Sequence, residues 1–211
     1  HCVTRRQRQM CIRDRANSCT LLGVCHIDHL HWLKDKTIDG VIHEKTSTLL
    51  NSNIFINKQV TEEIRGKIEK SLIKNTSNKY YFGKNFNISK SENGFIQYED
   101  EIGKIILPEP NILGEHQLYN ISTSIAAARK IFKVKDDDIK NGIQSIELKG
   151  RLQEIKKGKL KDITGNNRLV IDGGHNTSSS LSIANWIKNQ NQEVNLICGM
   201  LKDKDHLEFM K

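Results

Sequence analysis

Leu169-Val170-Ile171-Asp172-Gly173-Gly174-His175-Asn176 is the stretch on which the fold turns. An apolar run that ends in an acid and two glycines reads as a buried strand, from Arg168 to Asp172, turning straight into a helix. The spacing predicts that helix from about Ser178 to Asn189, with Asn176 or Thr177 as its N-cap. Val194 to Cys198 is a second apolar run, expected as another buried strand. Strand, helix and strand at this interval make a βαβ unit and imply a parallel sheet. The fold class is therefore α/β. Ligands of such sheets bind at the carboxyl ends of the strands, where Asp172 falls.

Upstream of Gly150 the pattern is different. A helix is expected from Lys36 to Leu50, with Ile38, Val41, Ile42, Lys45 and Leu49 on one face. Ile54 to Ile56 reads as a strand, and Thr61 to Ile73 as a helix. Four short strands follow, at Tyr80–Phe82, Phe86–Ile88, Phe95–Tyr98 and Ile105–Leu107, with turn signals at Gly83-Lys84-Asn85 and Glu92-Asn93-Gly94. A long helix is expected from His116 to Phe132. Asp136 to Asp138 caps another that carries Ile139, Ile143 and Ile146. Leu152 to Ile155 reads as a strand. The change of character places a boundary between Ser145 and Gly150, dividing the chain into residues 20–147 and 148–211. No apolar run approaches the ~18 residues of a membrane span.

The net charge of +8 invites a nucleic-acid reading, but its distribution does not. Residues 1–19 hold five of the nine arginines, a single acid and three of the five cysteines. Half of the charge excess thus sits in a short tip of alien composition. That tip, residues 1–19, is set aside as foreign to the fold. Cys25 and Cys198 alone give no disulfide framework, which fits a reducing cytoplasm.

Four patches carry chemistry. Ile27-Asp28-His29 precedes Trp32-Leu33 and Glu44-Lys45. Gly114-Glu115-His116-Gln117 has Asn120 one turn further on. Gly150-Arg151-Leu152 follows the boundary. Asp172-Gly173-Gly174-His175-Asn176 comes last, with Gly199-Met200-Leu201-Lys202-Asp203-Lys204-Asp205 beyond it. Each is weak alone. In this order they resemble the folylpolyglutamate synthase branch of the Mur ligase superfamily, across about residues 21–211.

The resemblance implies the C-terminal part of a P-loop ATPase domain (residues 20–147) followed by a truncated Rossmann-like domain (residues 148–211). His29 matches a Mg²⁺ ligand. Lys45, sixteen residues on, matches a lysine that is often carbamylated, which exchanges a repelling ammonium for the anionic oxygen that Mg²⁺ prefers. The family's lysine comes about fifteen residues on, and Thr46-Ser47-Thr48 stands where the family usually has Ala-Gly-Ile. By resemblance Asn120 and Asp172 contact ATP, Arg151 reaches its phosphates, and His175 touches phosphate or the incoming amino acid. A guanidinium suits phosphate because it is always charged and grips two oxygens at once.

The implied reaction phosphorylates a carboxylate of dihydropteroate or a folate with ATP and Mg²⁺, and the amine of L-glutamate then displaces the phosphate. Arg151 assists from the second domain, so domain closure is expected to gate the step. A monomer working in the cytoplasm is expected, with no nucleic-acid or membrane partner. The Gly-Lys-Ser/Thr phosphate loop of the family has no counterpart in the sequence and is expected upstream of it, so the chain alone is expected to be inactive. Two other readings stay open: a sister Mur-type amino-acid ligase, and a basic nucleic-acid-binding module that relies on Arg5 to Arg15.

Overall fold

The computed structural model describes residues 19–25, 37–47, 49, 53–91, 93–202 and 206–211. Chain contacts divide it into two compact units, one made of the chain to Leu107 with Tyr119–Ile139, the other of Pro108–Leu118 with Lys140–Lys211.

The first unit is organised by a parallel sheet of three strands, β1 (Cys19–Leu22), β2 (Asn53–Ile56) and β3 (Lys79–Tyr81), in that spatial order. Parallel neighbours need a crossover. Here each crossover carries a helix, α1 (Ile38–Thr46) and then α2 (Glu62–Ser71). Both helices start where the sequence offers a hydroxyl. Thr37 accepts from Gly40 N at 3.2 Å and Thr61 from Ile64 N at 3.3 Å, so each closes one open N–H of a first turn. Their inner faces and the central strand make one core. Leu22, Cys25, Ile42, Ile54, Ile56, Ile68 and Leu72 are all buried within it. The apolar run Ile54–Ile56 that follows Asn53 in β2 is what a strand covered on both faces requires.

A meander follows, β4 (Phe86–Lys90), β5 (Ile96–Asp100) and β6 (Gly103–Leu107), antiparallel throughout. Its last turn is built by one carboxylate. Asp100 Oδ1 accepts from Ile102 N at 2.9 Å and Gly103 N at 3.3 Å, and Oδ2 accepts from the hydroxyl of the fully buried Tyr98 at 3.0 Å. The long helix α3 (Glu115–Ala127) ends in a wider π-helical turn, Ala128–Phe132. That turn delivers Arg129, whose guanidinium bonds Asp100 Oδ1 at 2.8 Å and Gly103 O at 3.1 Å, with Asp136 at 3.6 Å. Helix α4 (Asp136–Gln144) begins at that acid. The Arg129 and Asp100 side chains are 7% and 8% exposed.

The second unit has little regular structure. Its strands, β7 (Gln153–Glu154) and β8 (Val170–Ile171), are two residues each and pair antiparallel. Helices α5 (Lys159–Thr164), α6 (Thr177–Lys188) and α7 (His206–Met210) complete it. The helix after the glycine turn stands where the sequence placed it, and Asn176 is its N-cap, accepting from Ser179 N at 2.9 Å.

The expected βαβ unit does not form. Residues 194–198 are no strand, and Leu196 and Ile197 are 54% and 98% exposed. An apolar run becomes a buried strand only beside neighbours that complete its ladder. Among the described residues of this unit, β7 and β8 are the only strands, and they pair with each other. Among the described residues, no helix is long and apolar enough to cross a membrane. The mixed α/β class read from the sequence holds.

The Asp100–Arg129 pair gives a stability test. Asp100→Ala strands a buried guanidinium, and urea unfolding should show a loss of about 3–5 kcal/mol. Asp100→Asn keeps the acceptor and should lose clearly less. Equal, small losses in both variants would mean that the pair is not what anchors the turn.

Candidate functional site

Expected site residues fall at two places, one in each unit. In the first unit they gather where β1 and β2 end. A strand's last residues leave backbone groups that the sheet no longer pairs, and these groups need partners. Gln59 supplies two. Its Oε1 accepts from Cys25 N at 2.9 Å, and its Nε2 donates to Asn57 O at 2.8 Å and, at 3.4 Å, to Gly23 O. Lys45 supplies a third, its Nζ donating to Val24 O at 2.9 Å. The half-buried amine predicted to share the apolar face of α1 therefore ends at the exit of β1. Cys25 beside it is wholly buried, and burial pushes its thiol up, with the positive charge of Lys45 acting in the opposite sense.

On the neighbouring exit, Asn57 is buried. Its Oδ1 accepts from Lys58 N at 2.7 Å and its Nδ2 donates to Asn120 Oδ1 at 2.8 Å. Lys58 donates to the hydroxyl of Tyr119 at 2.8 Å and lies 4.1 Å from the centre of that ring. Asn120 is exposed. Lys45 and Asn120 thus stand at the ends of adjacent strands in one sheet, the position at which open α/β sheets bind ligands. His29 lies outside the described residues. Among the described residues no three histidine, cysteine or acidic side chains gather as a metal site.

In the second unit the chemistry is held by Asp172. Its Oδ2 accepts from Leu152 N at 2.7 Å and its Oδ1 from Gly174 N at 2.6 Å. A further bond of 2.8 Å joins Gly173 N to Gly150 O. The Gly150–Leu152 turn and the Asp172–Asn176 turn are therefore tied back to back, and Arg151 and Asp172 come together. Leu152 adopts φ +44°, a left-handed value that costs a branched residue about 1–2 kcal/mol. It is held there by the bond to Asp172 and by burial of its side chain.

Gly174 permits the closeness of this arrangement. A Cβ on it would stand 2.7 Å from Ser179 Cβ and 2.8 Å from Asp172 Oδ1. His175 is half-exposed, its Nδ1 3.1 Å from Gly173 O. Arg151 is exposed.

His116, given no role by the sequence reading, belongs to the same place. Its ring packs under Gly114, where a Cβ would meet it at 2.7 Å, and its Nε2 is 2.9 Å from Gln117 Nε2. Burial holds its pKa below the usual histidine value, against the pull of Asp172 and with the help of Arg151. Gln59 and Asn57 were missed as well. The signal was available, since Asn57-Lys58-Gln59 is the polar run that closes the apolar Ile54-Phe55-Ile56.

The direction of the His116 shift fixes a pH dependence. A folded pKa below the unfolded value means that the unfolded chain takes the proton first. Stability should be full above pH about 6.5 and fall as pH drops from there through the lowered folded value. Thermal unfolding of the wild type and His116→Gln between pH 7.5 and about 5 should show the variant losing less. Parallel curves would exclude His116 as the source. Gly174→Ala should cost about 2 kcal/mol or more through the close contacts of its Cβ, read by urea unfolding.

Comparison with known proteins adds the following. No family model matches the chain. It is 27% identical over 135 residues to the folylpolyglutamate synthase of Lacticaseibacillus casei, covering 59% of the chain and 30% of that protein. It is 30% identical over 101 residues to the dihydrofolate synthase/folylpolyglutamate synthase of Haemophilus influenzae, 42% of the chain and 23% of that protein. Among solved structures, an FPGS–AMPPCP–folate complex superposes with a TM-score of 0.80 at 21% identity, covering 93% of the chain and 48% of that structure. E. coli FolC in complex with DHPP and ADP gives 0.78 at 20% identity, covering 94% and 45%. The chain therefore spans half or less of the length of the proteins it matches. It is similar to folylpolyglutamate and dihydrofolate synthases, as the order of its motifs implied, and over nearly all of its length it has the fold of their solved structures.

Proposed function

We propose that this chain belongs to an ATP-dependent ligase that joins L-glutamate to dihydropteroate or to a folate. The observation that carries the reading is the coincidence of motif and fold. The Gly-Arg-Leu and Asp-Gly-Gly-His-Asn segments that suggested the resemblance are tied to each other through Asp172, in a chain that superposes on an FPGS–AMPPCP–folate complex at a TM-score of 0.80.

In this reading a substrate carboxylate oxygen attacks the γ-phosphorus of ATP, and ADP leaves. The glutamate amine then attacks the acyl carbon and expels phosphate, forming the amide. The exposed Arg151 binds nucleotide phosphate with two parallel N–H bonds. Asn120 contacts the nucleotide from the end of the parallel sheet. Asp172 acts on it through the backbone of the two turns that it fixes, and His175, at the start of α6, lies ready for phosphate or glutamate.

Mg²⁺ would neutralise charge on the phosphoryl group in transfer. Of its expected ligands Lys45 is described. Its nitrogen donates to Val24 O, a bond that a carbamate retains, since its nitrogen keeps one N–H. The residues present therefore fit that modification.

The test is glutamate-dependent ADP release by the full-length gene product, with dihydropteroate, a folate or a muramyl precursor as acceptor. The pterin-derived acceptors should support turnover, the muramyl one should not, and the 211-residue chain alone should be inactive. Arg151→Ala in the full-length enzyme should lower turnover by about 10²-fold, as loss of one transition-state donor does. Unchanged turnover would remove Arg151 from its role, and turnover with the muramyl acceptor alone would replace the folate reading.

A further inference from the structure

Asn57 has no counterpart in the roles given so far, yet it is a buried polar side chain of the first unit. It is 4% exposed, and both ends of its amide are engaged. The direction of those bonds is not free. Lys58 N is a backbone donor and can bond only an acceptor, so the atom 2.7 Å from it is the oxygen of Asn57. The other end is then the NH₂ group, and the atom it meets on Asn120 at 2.8 Å must itself be an acceptor, Oδ1. A backbone N–H thereby sets the polarity of one asparagine, and that asparagine sets the polarity of the next.

Two amides of this kind would otherwise be interchangeable by a half-turn. The bond between them is part-buried, where leaving a polar group unmatched is costly, so the alternative orientation is closed. Asn120 itself is exposed and stands at the end of the parallel sheet. With its oxygen held toward Asn57, the amide nitrogen, which carries two N–H bonds, forms the other edge of the same planar group.

Resting on the ligase reading above, we propose that Asn57 is a positioning residue that fixes the amide of Asn120 so that it meets the nucleotide as a hydrogen-bond donor. The group recognised is consequently an acceptor on the nucleotide, such as a ring nitrogen of the base. Asn57 itself never touches the ligand.

The experiment is calorimetric titration of the full-length protein with ATP and Mg²⁺. Asn57→Asp turns the inner amide into a pure acceptor. Asn120 must then reverse to donate inward and present its oxygen to the ligand, and the ATP Kd should rise about tenfold. In an Asn120→Ala background the same substitution should change the Kd by less than about twofold, because the residue through which it acts is gone. Asn120→Asp covers the case in which Asn57→Asp fails to fold. It is an exposed change that still accepts from Asn57 but offers no donor outward, so it should weaken ATP as much as Asn120→Ala does.

An unchanged Kd in Asn57→Asp, or an equal loss in the presence and absence of Asn120, would overturn the positioning role. So would wild-type affinity in Asn120→Asp. Failure of the wild-type protein to bind ATP at all would instead overturn the ligase reading on which the proposal rests.

Discussion

Backbone groups left over where a strand ends have to be satisfied, and in this protein side chains do it. At the ends of β1 and β2 the work falls to Gln59, Lys45 and Asn57. At the Asp172 turn it falls to one carboxylate with two backbone N–H groups on it. This constraint explains why the candidate sites are where they are. A loop whose backbone is bonded to fixed side chains keeps its shape, and a polar residue carried on it keeps its place. Preorganisation of this kind is what a site needs if it is to hold charged ligands without paying for reordering at the moment of binding.

Away from the sites, the first unit depends on a different economy. Its core is apolar and continuous, but the meander is fastened to α3 by charge. Asp100 folds the last turn, bonds the buried Tyr98 and receives Arg129 from the π-helical turn. Such a turn adds a residue to the helical repeat and so re-aims the side chains that follow it. The widened turn and the buried pair therefore have a common reason, since the guanidinium is delivered from that turn.

Most elements of the first unit were legible in the sequence because each has enough neighbours to enforce its period. Strand β1 was not, its first residue Cys19 having been set aside with the arginine-rich tip although it pairs with Asn53. Ile54 to Ile56, the meander and the helix at His116 all lie within a few residues of where their patterns put them. The glycine turn and its N-cap were legible for a local reason, as Asn176 and Gly174 act on residues next to them. Val194 to Cys198 was misread because its pattern is that of a strand with neighbours, and hydrophobicity alone does not supply them. The polar run Asn57-Lys58-Gln59 marked the end of a strand, but the partner of Asn57 was hidden, because a hydrogen bond across sixty-three positions, from Asn57 to Asn120, leaves no periodic trace.

The exposed run Leu196-Ile197 with Leu201, Leu207 and Met210 has a practical side. An exposed apolar patch invites a second molecule to lie against it. The net positive charge opposes that approach at low ionic strength and is screened as salt rises. The solubility of this chain should accordingly be worst in concentrated salt, and preparations kept dilute and low in salt should remain dispersed longest.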